Sequence, residues 1–237
     1  MITPADLLTA WERGAALPVS DRAPSILAAL DPACDPGQLT IGSCDALLYR
    51  LRRQLFGDAL DAVGRCQQCA EQISVALSLA DLQPELVAEP ATVTVELAGF
   101  RLRASPLRNS DLRELATLGS TLQARDILRR CDPQVTDQDG NPVPADRLPD
   151  EVLDAALDLV ADADPGSSVL LAISCGCGAS WLEQLDIRTV FWDELSRWAA
   201  ELLLEVHELA AGYGWSETDI LALSPWRRAW YRQALAW

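Results

Sequence analysis

Two close pairs of cysteines constrain the fold of this chain more than any other feature of its sequence. Two residues separate Cys66 from Cys69, one separates Cys175 from Cys177, and 105 residues lie between the pairs. Four thiolates suit a tetrahedral structural zinc ion. Each pair adjoins a strand pattern, so adjacent strands can present both pairs to one ion. The sequence therefore predicts that the four cysteines converge on a structural zinc site and that an insertion separates them.

Three alternatives remain open for these thiols. They can be buried packing residues, because cysteine is among the most buried residue types, or a surface pair that oxidises. Cys66 and Cys69 can also form a thioredoxin-type redox motif, although such motifs begin a helix, whereas a strand pattern follows this pair. The chain has seven cysteines, an odd number, and no export signal, which argues against a disulfide framework.

Strand patterns flank both cysteine pairs. Apolar and small polar residues alternate over 73–79, directly after the first pair, as in a half-buried strand. A continuous apolar strand over 169–173 leads into the second pair, and 180–187 can pair with it as a hairpin. A further hairpin is predicted from 92–97 and 100–104, with Ala-Gly as its turn.

Helical periodicity dominates the rest of the chain. A short first helix follows Thr3-Pro4, and a long acidic loop is expected over 132–149. Gly119 divides the helical pattern over 109–131 into two, and Ser216 and Ser224-Pro225 are caps for two short final helices. The longer amphipathic patterns lie at residues 45–61, 109–131, 150–161 and 191–213.

These elements predict an α+β fold that is predominantly helical. A small antiparallel zinc-ribbon-like strand unit is interrupted by an inserted α/β lobe and followed by C-terminal helices. The predicted regions are an N-terminal helical region (1–62), the discontinuous zinc-ribbon-like unit (63–83 plus 168–188), the inserted hairpin and helical lobe with its acidic loop (84–167), and the C-terminal helical region (189–237).

Composition and missing motifs exclude several classes of function. The formal net charge of −16 disfavours nucleic acid as a partner. Neither a secretion signal nor a run of 18 apolar residues is present, so we expect a cytoplasmic protein with no membrane partner. The chain has one histidine, His207, and lacks phosphate-loop, dinucleotide-binding and nucleophile-elbow motifs. We therefore expect no enzyme and no small-molecule substrate.

The end of the chain is rich in aromatic residues and arginine. Both residue types are enriched in protein interfaces, and a terminal segment with three arginines and no acid can dock on an acidic partner or on the acidic insert of this chain. Core packing is the alternative for the tryptophans. The sequence predicts partner-binding residues at Trp226, Arg227, Arg228, Trp230 and Tyr231.

Three separated stretches carry motifs that occur in the same order in one family. The first runs from Leu39-Thr40-Ile41-Gly42 through a helix with Phe56-Gly57 to the cysteine knuckle 65–71, and the second runs from Cys175 to Ile187 with Trp181. The third contains His207-Glu208-Leu209-Ala210, Tyr213-Gly214-Trp215-Ser216-Glu217, 219–224 and Arg227-Arg228-Ala229-Trp230-Tyr231. Here the chain resembles the T-even bacteriophage baseplate hub protein family of contractile phage tails and related injection systems.

This resemblance implies a non-enzymatic baseplate component, or a factor that helps to assemble the baseplate in the cytoplasm of the producing bacterium. Its expected partners are other hub or wedge proteins. The family's knuckles usually read Cys-Pro-x-Cys-Gly; here Ala70 replaces the glycine, and the second pair has one intervening residue. The alternatives are a cytosolic zinc-ribbon adaptor or regulator and, third, a redox protein that uses Cys66 and Cys69.

Overall fold

The computed structural model describes residues 2–86 and 91–235, so parts of the predicted inserted lobe and of the terminal region, at 87–90 and 236–237, lie outside the described residues. The fold is α+β with small antiparallel sheets, as predicted. Its contacts form two compact units. One unit joins the chain up to Ala33 with the chain from Arg188 onwards, and the other runs from Cys34 to Ile187. The finer division into four regions stays a prediction.

Both units contain helices, and the strands lie in the second unit. The helices are α1 (Pro4–Ala15), α2 (Val19–Leu30), α3 (Ile41–Phe56), α4 (Leu79–Leu86), α5 (Asn109–Leu118), α6 (Ala124–Arg130), α7 (Asp150–Asp162), α8 (Ile187–Tyr213), α9 (Glu217–Ala222) and α10 (Pro225–Leu235). The strands are β1 (Ala59–Arg65), β2 (Gln72–Ser78), β3 (Val93–Leu97), β4 (Phe100–Ala104), β5 (Gln134–Thr136), β6 (Leu170–Ser174) and β7 (Ser180–Gln184).

The first unit is helical, and α8 supplies much of its core. In the middle of α8, Leu8 of α1 packs against Ala199 and Leu202, and the indole N–H of Trp11 donates to the Ser196 hydroxyl at 3.0 Å. A second cluster joins the end of α8 to the last two helices through Val206, Leu209, Tyr213, Trp215, Ile220 and Tyr231. Burial of these apolar faces is the driving force for packing.

Each cysteine pair sits at the tip of a two-stranded hairpin in the second unit. β1 pairs with β2 from Ala59↔Ser78 to Arg65↔Gln72, and β6 pairs with β7. β1 corrects the predicted helix over 45–61. Gly57 has a φ of +91°, a conformation open to glycine, so it ends α3 and lets an extended strand follow.

The lobe between the hairpins contains the third sheet, ordered β3-β4-β5. The predicted hairpin of β3 and β4 is confirmed, and Gly119 separates α5 from α6 as expected. The segment predicted as a long irregular loop contains β5, because Val135 is buried beside Leu102 in the lobe's apolar core. Its other fully buried side chains include Leu128, Leu148 and Val152.

A buried carboxylate ties together the two chain segments that lead into the hairpins. Asp164 is 4% exposed; its Oδ2 accepts from the Gly42 amide at 2.7 Å, and its Oδ1 accepts from the Thr40 hydroxyl at 2.9 Å. The negative charge lies at the N-terminus of α3, where the helix dipole favours an anion. α3 leads into β1, and the turn Pro165–Ser167 leads towards β6. We call this contact the Asp164 clasp.

Candidate metal centre

The first cysteine pair lies in the tight loop between β1 and β2. The Cys66 amide donates to the Glu71 carbonyl at 2.9 Å, and the Ala70 amide donates to the Cys66 carbonyl at 2.9 Å. Ala70 has a φ of +62°. This left-handed residue turns the chain back into β2, so that Cys66 and Cys69 both lie at the hairpin tip.

The second pair occupies an analogous loop between β6 and β7. The Cys175 amide donates to the Ala179 carbonyl at 2.8 Å, and the Gly178 amide donates to the Cys175 carbonyl at 3.0 Å. Gly178 provides the left-handed conformation here, with a φ of +92°. The two hairpins therefore present their cysteines in the same way, although the second loop is one residue shorter between its cysteines.

The four sulfurs meet at one place. The Sγ atoms of Cys66 and Cys177 are 3.8 Å apart, those of Cys69 and Cys175 are 3.5 Å apart, and all four lie within 4.8 Å of one another. A tetrahedral zinc ion with Zn–S bonds of about 2.3 Å places its ligands about 3.8 Å apart. The predicted convergence is confirmed. None of the four forms a disulfide, and their spacing fits a metal ion.

Backbone amides of the loops stabilise negative charge on the sulfurs. The backbone N–H of Cys69, helped by that of Gln68, lowers the pKa of the Cys66 thiol to about 7. The backbone N–H of Cys177 does the same for Cys175, but burial and the neighbouring thiols outweigh it and raise the pKa of Cys175 to about 12. Without a cation, adjacent thiols resist losing their protons together.

Two side chains beside the cluster escaped the sequence analysis. The Cys175 thiol donates to the Glu71 carboxylate at 3.5 Å, and the Cys177 thiol contacts the Gln68 amide oxygen at 3.8 Å. Gln68 lies in the first loop and Glu71 next to it. Their closeness in sequence to Cys66 and Cys69 is the signal that could have identified them. Such groups surround the ligands and orient them.

The chemistry of the donor set favours a soft, closed site. Two of its cysteines, Cys66 and Cys175, are buried, while Cys69 and Cys177 are exposed. Four thiolates satisfy a tetrahedral ion completely and leave no open position for a substrate. The cluster can therefore cross-link two hairpins that are remote in sequence.

The predicted partner-binding residues do not share one environment. Arg228 is buried: its Nε donates to Glu205 Oε2 at 2.9 Å and its Nη1 donates to the Leu223 carbonyl at 2.8 Å. Tyr231 stacks edge-on against Tyr213 and Trp215 inside the first unit. Arg228 is thus engaged inside the first unit and Tyr231 is half-buried there, and the role of both residues in binding a partner stays a prediction.

The other three predicted residues remain on the surface of α10. Trp226 is 74% exposed, Trp230 is 55% exposed, and Arg227 is exposed between them. Tryptophan and arginine are enriched in protein interfaces. Their role in binding a partner stays a prediction.

Comparison with known proteins adds no relative: no family model, curated protein or solved structure matches this chain. Within residues 2–86 and 91–235, every helix is too short or too polar to cross a membrane.

Proposed function

We propose that this protein is a non-enzymatic structural or assembly component of a contractile phage-tail or injection-system baseplate. In this proposal a zinc ion bound by Cys66, Cys69, Cys175 and Cys177 completes a zinc-ribbon-like unit, and the protein acts by contacts with other hub or wedge proteins. The observation that carries the proposal is the convergence of the two cysteine pairs at the tips of separate hairpins.

Zinc is the metal that the donor set favours. Soft thiolates select zinc, copper(I) or iron–sulfur clusters, and a compact tetrahedral set of four suits a single zinc ion. β1 pairs only with β2 and β6 only with β7 among the described strands, so no backbone ladder joins the hairpins. A bound ion supplies that link through its four bonds. Structural zinc sites contribute on the order of 10 kcal/mol of apparent binding free energy to folding.

A scaffold role follows from how the site is closed. All four metal positions are filled by protein ligands, so the ion has no position at which to activate water or a carbonyl group. The terminal tryptophans offer a different chemistry, because an exposed aromatic side chain beside arginine suits protein association. These features favour an assembly protein over a catalyst.

The resembling motifs support the baseplate assignment through their positions in the fold. Gly42 of the first stretch forms the Asp164 clasp, the cysteine knuckle forms half of the cluster, and the third stretch builds the α8–α10 helices. Each motif thus has a structural task in this chain.

Metal analysis of the purified protein tests the zinc site. We expect one zinc per chain, released by a chelator with loss of thermal stability. Cys66→Ser and Cys175→Ser should each lose most of the metal, whereas Cys34→Ser, outside the cluster, should retain it. If the purified protein contains substoichiometric metal and Cys66→Ser is as stable as the wild type, the zinc site is contradicted. A redox or packing role for these thiols is then favoured.

Mass spectrometry of purified contractile particles and of their assembly intermediates tests the baseplate role. We expect this chain in the particle or in an intermediate, and we expect particle formation to fail when its gene is deleted. Normal particles from the deletion strain, with the chain in neither fraction, refute the assignment and favour a cytosolic adaptor.

A further inference from the structure

A cleft of about 260 Å³ opens on the second unit. The start of α3, the loop before α5, α6 and α7 form its walls, and those walls are mostly apolar. The principal lining side chains are Ile41, Leu107, Ile127, Leu157 and Ala161, of which Ala161 is exposed and the others are half-buried. Pockets that combine apolar walls with a few polar groups are the usual form of a binding site.

The α7 wall of this cleft adjoins a stripe of negative charge. Asp154, Asp158 and Asp162 recur every four residues, next to the positions that line the cleft, and all three are exposed. Within residues 2–86 and 91–235 no ion pair involves these three carboxylates. α7 contains no lysine or arginine. The cleft therefore favours an occupant that carries an apolar side chain next to a cationic group.

Bases elsewhere around the cleft are already engaged. Arg108, next to the lining residue Leu107, contacts the Gln38 side chain at 3.4 Å. Arg130, three residues after Ile127, pairs with Glu114. Neither arginine therefore neutralises the three carboxylates of the α7 stripe.

This chain itself carries a segment with the required chemistry. On α10, Trp226 and Trp230 expose 74% and 55% of their surface, with Arg227 exposed between them. α10 contains no acid. Arg228 and Arg232 hold α10 to α8 through Glu205 and Glu208, so the helix presents its tryptophans from a fixed base.

We propose that the partner of α10 is the cleft of a second copy of this chain. A tryptophan side chain enters the apolar cleft, and Arg227 pairs with the carboxylates of the α7 stripe. Copies with a net charge of −16 repel one another elsewhere, so association depends on this local complementarity. The inference rests on the proposed function, because it names the partner of the predicted binding surface. Because helix and cleft are different surfaces, the contact either closes a two-fold dimer, in which each copy inserts its helix into the other's cleft, or continues into a larger ring or an open chain of copies.

Sedimentation velocity over a range of protein concentrations tests the contact. We expect concentration-dependent association of the wild-type protein, weakened at least tenfold by Trp226→Ala/Trp230→Ala, as for interface hot spots. Ala161→Arg should weaken it equally, because Ala161 is exposed and its replacement fills the cleft and cancels negative charge. Leu159→Arg, on the same helix but outside the cleft lining, is the matched control and should associate as the wild type does.

Mixing the two defective variants gives the sharpest outcome. Trp226→Ala/Trp230→Ala keeps an intact cleft, and Ala161→Arg keeps an intact α10. An equimolar mixture of these two variants should therefore form dimers and no larger species. Circular dichroism of each variant verifies its fold, and Asp158→Arg, which reverses one charge of the acidic stripe beside the cleft, replaces Ala161→Arg if that variant unfolds.

Three results overturn the inference: a wild-type protein that is monomeric at every concentration, association that survives both variants, or a mixture that forms no dimer. If particle formation still needs the tryptophans while the isolated chain stays monomeric, the baseplate role stands and the partner is a different protein. The zinc measurement is independent of all these outcomes.

Discussion

Substitution of Gly42 by alanine tests whether the Asp164 clasp organises the second unit. A Cβ at position 42 would lie 2.7 Å from the Ser167 amide nitrogen and 2.8 Å from the Asp164 carboxyl carbon, and it would contact Asp164 Oδ1. Real Cβ atoms do not approach backbone so closely, and Ser167 belongs to a tight turn. The alanine must therefore push Asp164 and the turn away from the start of α3.

Three free-energy terms set the expected size of the effect. Forcing an extra methyl group into a packed site costs about 1–3 kcal/mol. Weakening the charged hydrogen bond between Asp164 and the Gly42 amide costs up to about 1.5–3 kcal/mol more. The better helix propensity of alanine offsets at most about 1 kcal/mol of this loss in stability. We expect the free energy of unfolding to fall by about 2–4 kcal/mol.

Urea unfolding followed by far-ultraviolet circular dichroism measures this change, with the metal content of all samples matched. Gly64→Ala is the control, because an added Cβ there meets nothing within 4 Å and its φ is not positive. Asp164→Asn keeps the volume but removes the charge, and it should lose less stability than Gly42→Ala. If Gly42→Ala unfolds within about 0.5 kcal/mol of the wild type, an ordinary surface value, the clasp has no organising role.

Further predictions concern the loops and the terminal helix. Ala70→Gly should stabilise the protein by about 0.5–1 kcal/mol in urea unfolding, because the left-handed conformation costs alanine about 1–2 kcal/mol and glycine's freedom in the unfolded state offsets part of the gain; a loss would contradict the strain. The pKa values of Cys69 and Cys175 are raised, so zinc must displace their protons; apparent zinc affinity in a chelator competition should fall as the pH is lowered from about 9 to 6, and a flat profile would count against thiolate ligation. Arg228→Met should cost about 1.5–3 kcal/mol in thermal unfolding, because it removes the charged hydrogen bonds of Arg228 to Glu205 and to the Leu223 carbonyl, although Arg232 still pairs with Glu205. Arg227→Met, exposed on the same helix, should stay within about 0.5 kcal/mol; equal losses in both would refute the distinction.

Local patterns were sufficient where a segment's own residues decide its structure. The period of 3.6 over the last quarter predicts the long helix α8, and alternation around Ala98-Gly99 predicts the hairpin of β3 and β4. Ser216 accepts from the Asp219 amide as the expected helix cap. The cysteine site was predictable for the same reason, since both pairs adjoin strand patterns and four thiols have few alternatives.

The same local logic failed where neighbours override it. The helical pattern over 45–61 continues past the end of α3, yet β1 forms there because β2 is available to pair with it. α2 was not predicted, since Pro24 lies within it; the buried Ile26 and Leu27 provide packing that offsets the proline.

The sequence by itself determined the α+β class, the principal helices and hairpins and the identity of the four converging cysteines, because periodicity, turn residues and thiol chemistry are local properties. Only the tertiary structure decided that Asp164 caps a helix that begins more than 120 residues earlier, that the first 33 residues join the C-terminal helices, and that Arg228 is buried whereas Arg227 is exposed. Each of these depends on the energy of burying a particular charge or apolar face against a remote segment, and no window of neighbouring residues contains that partner.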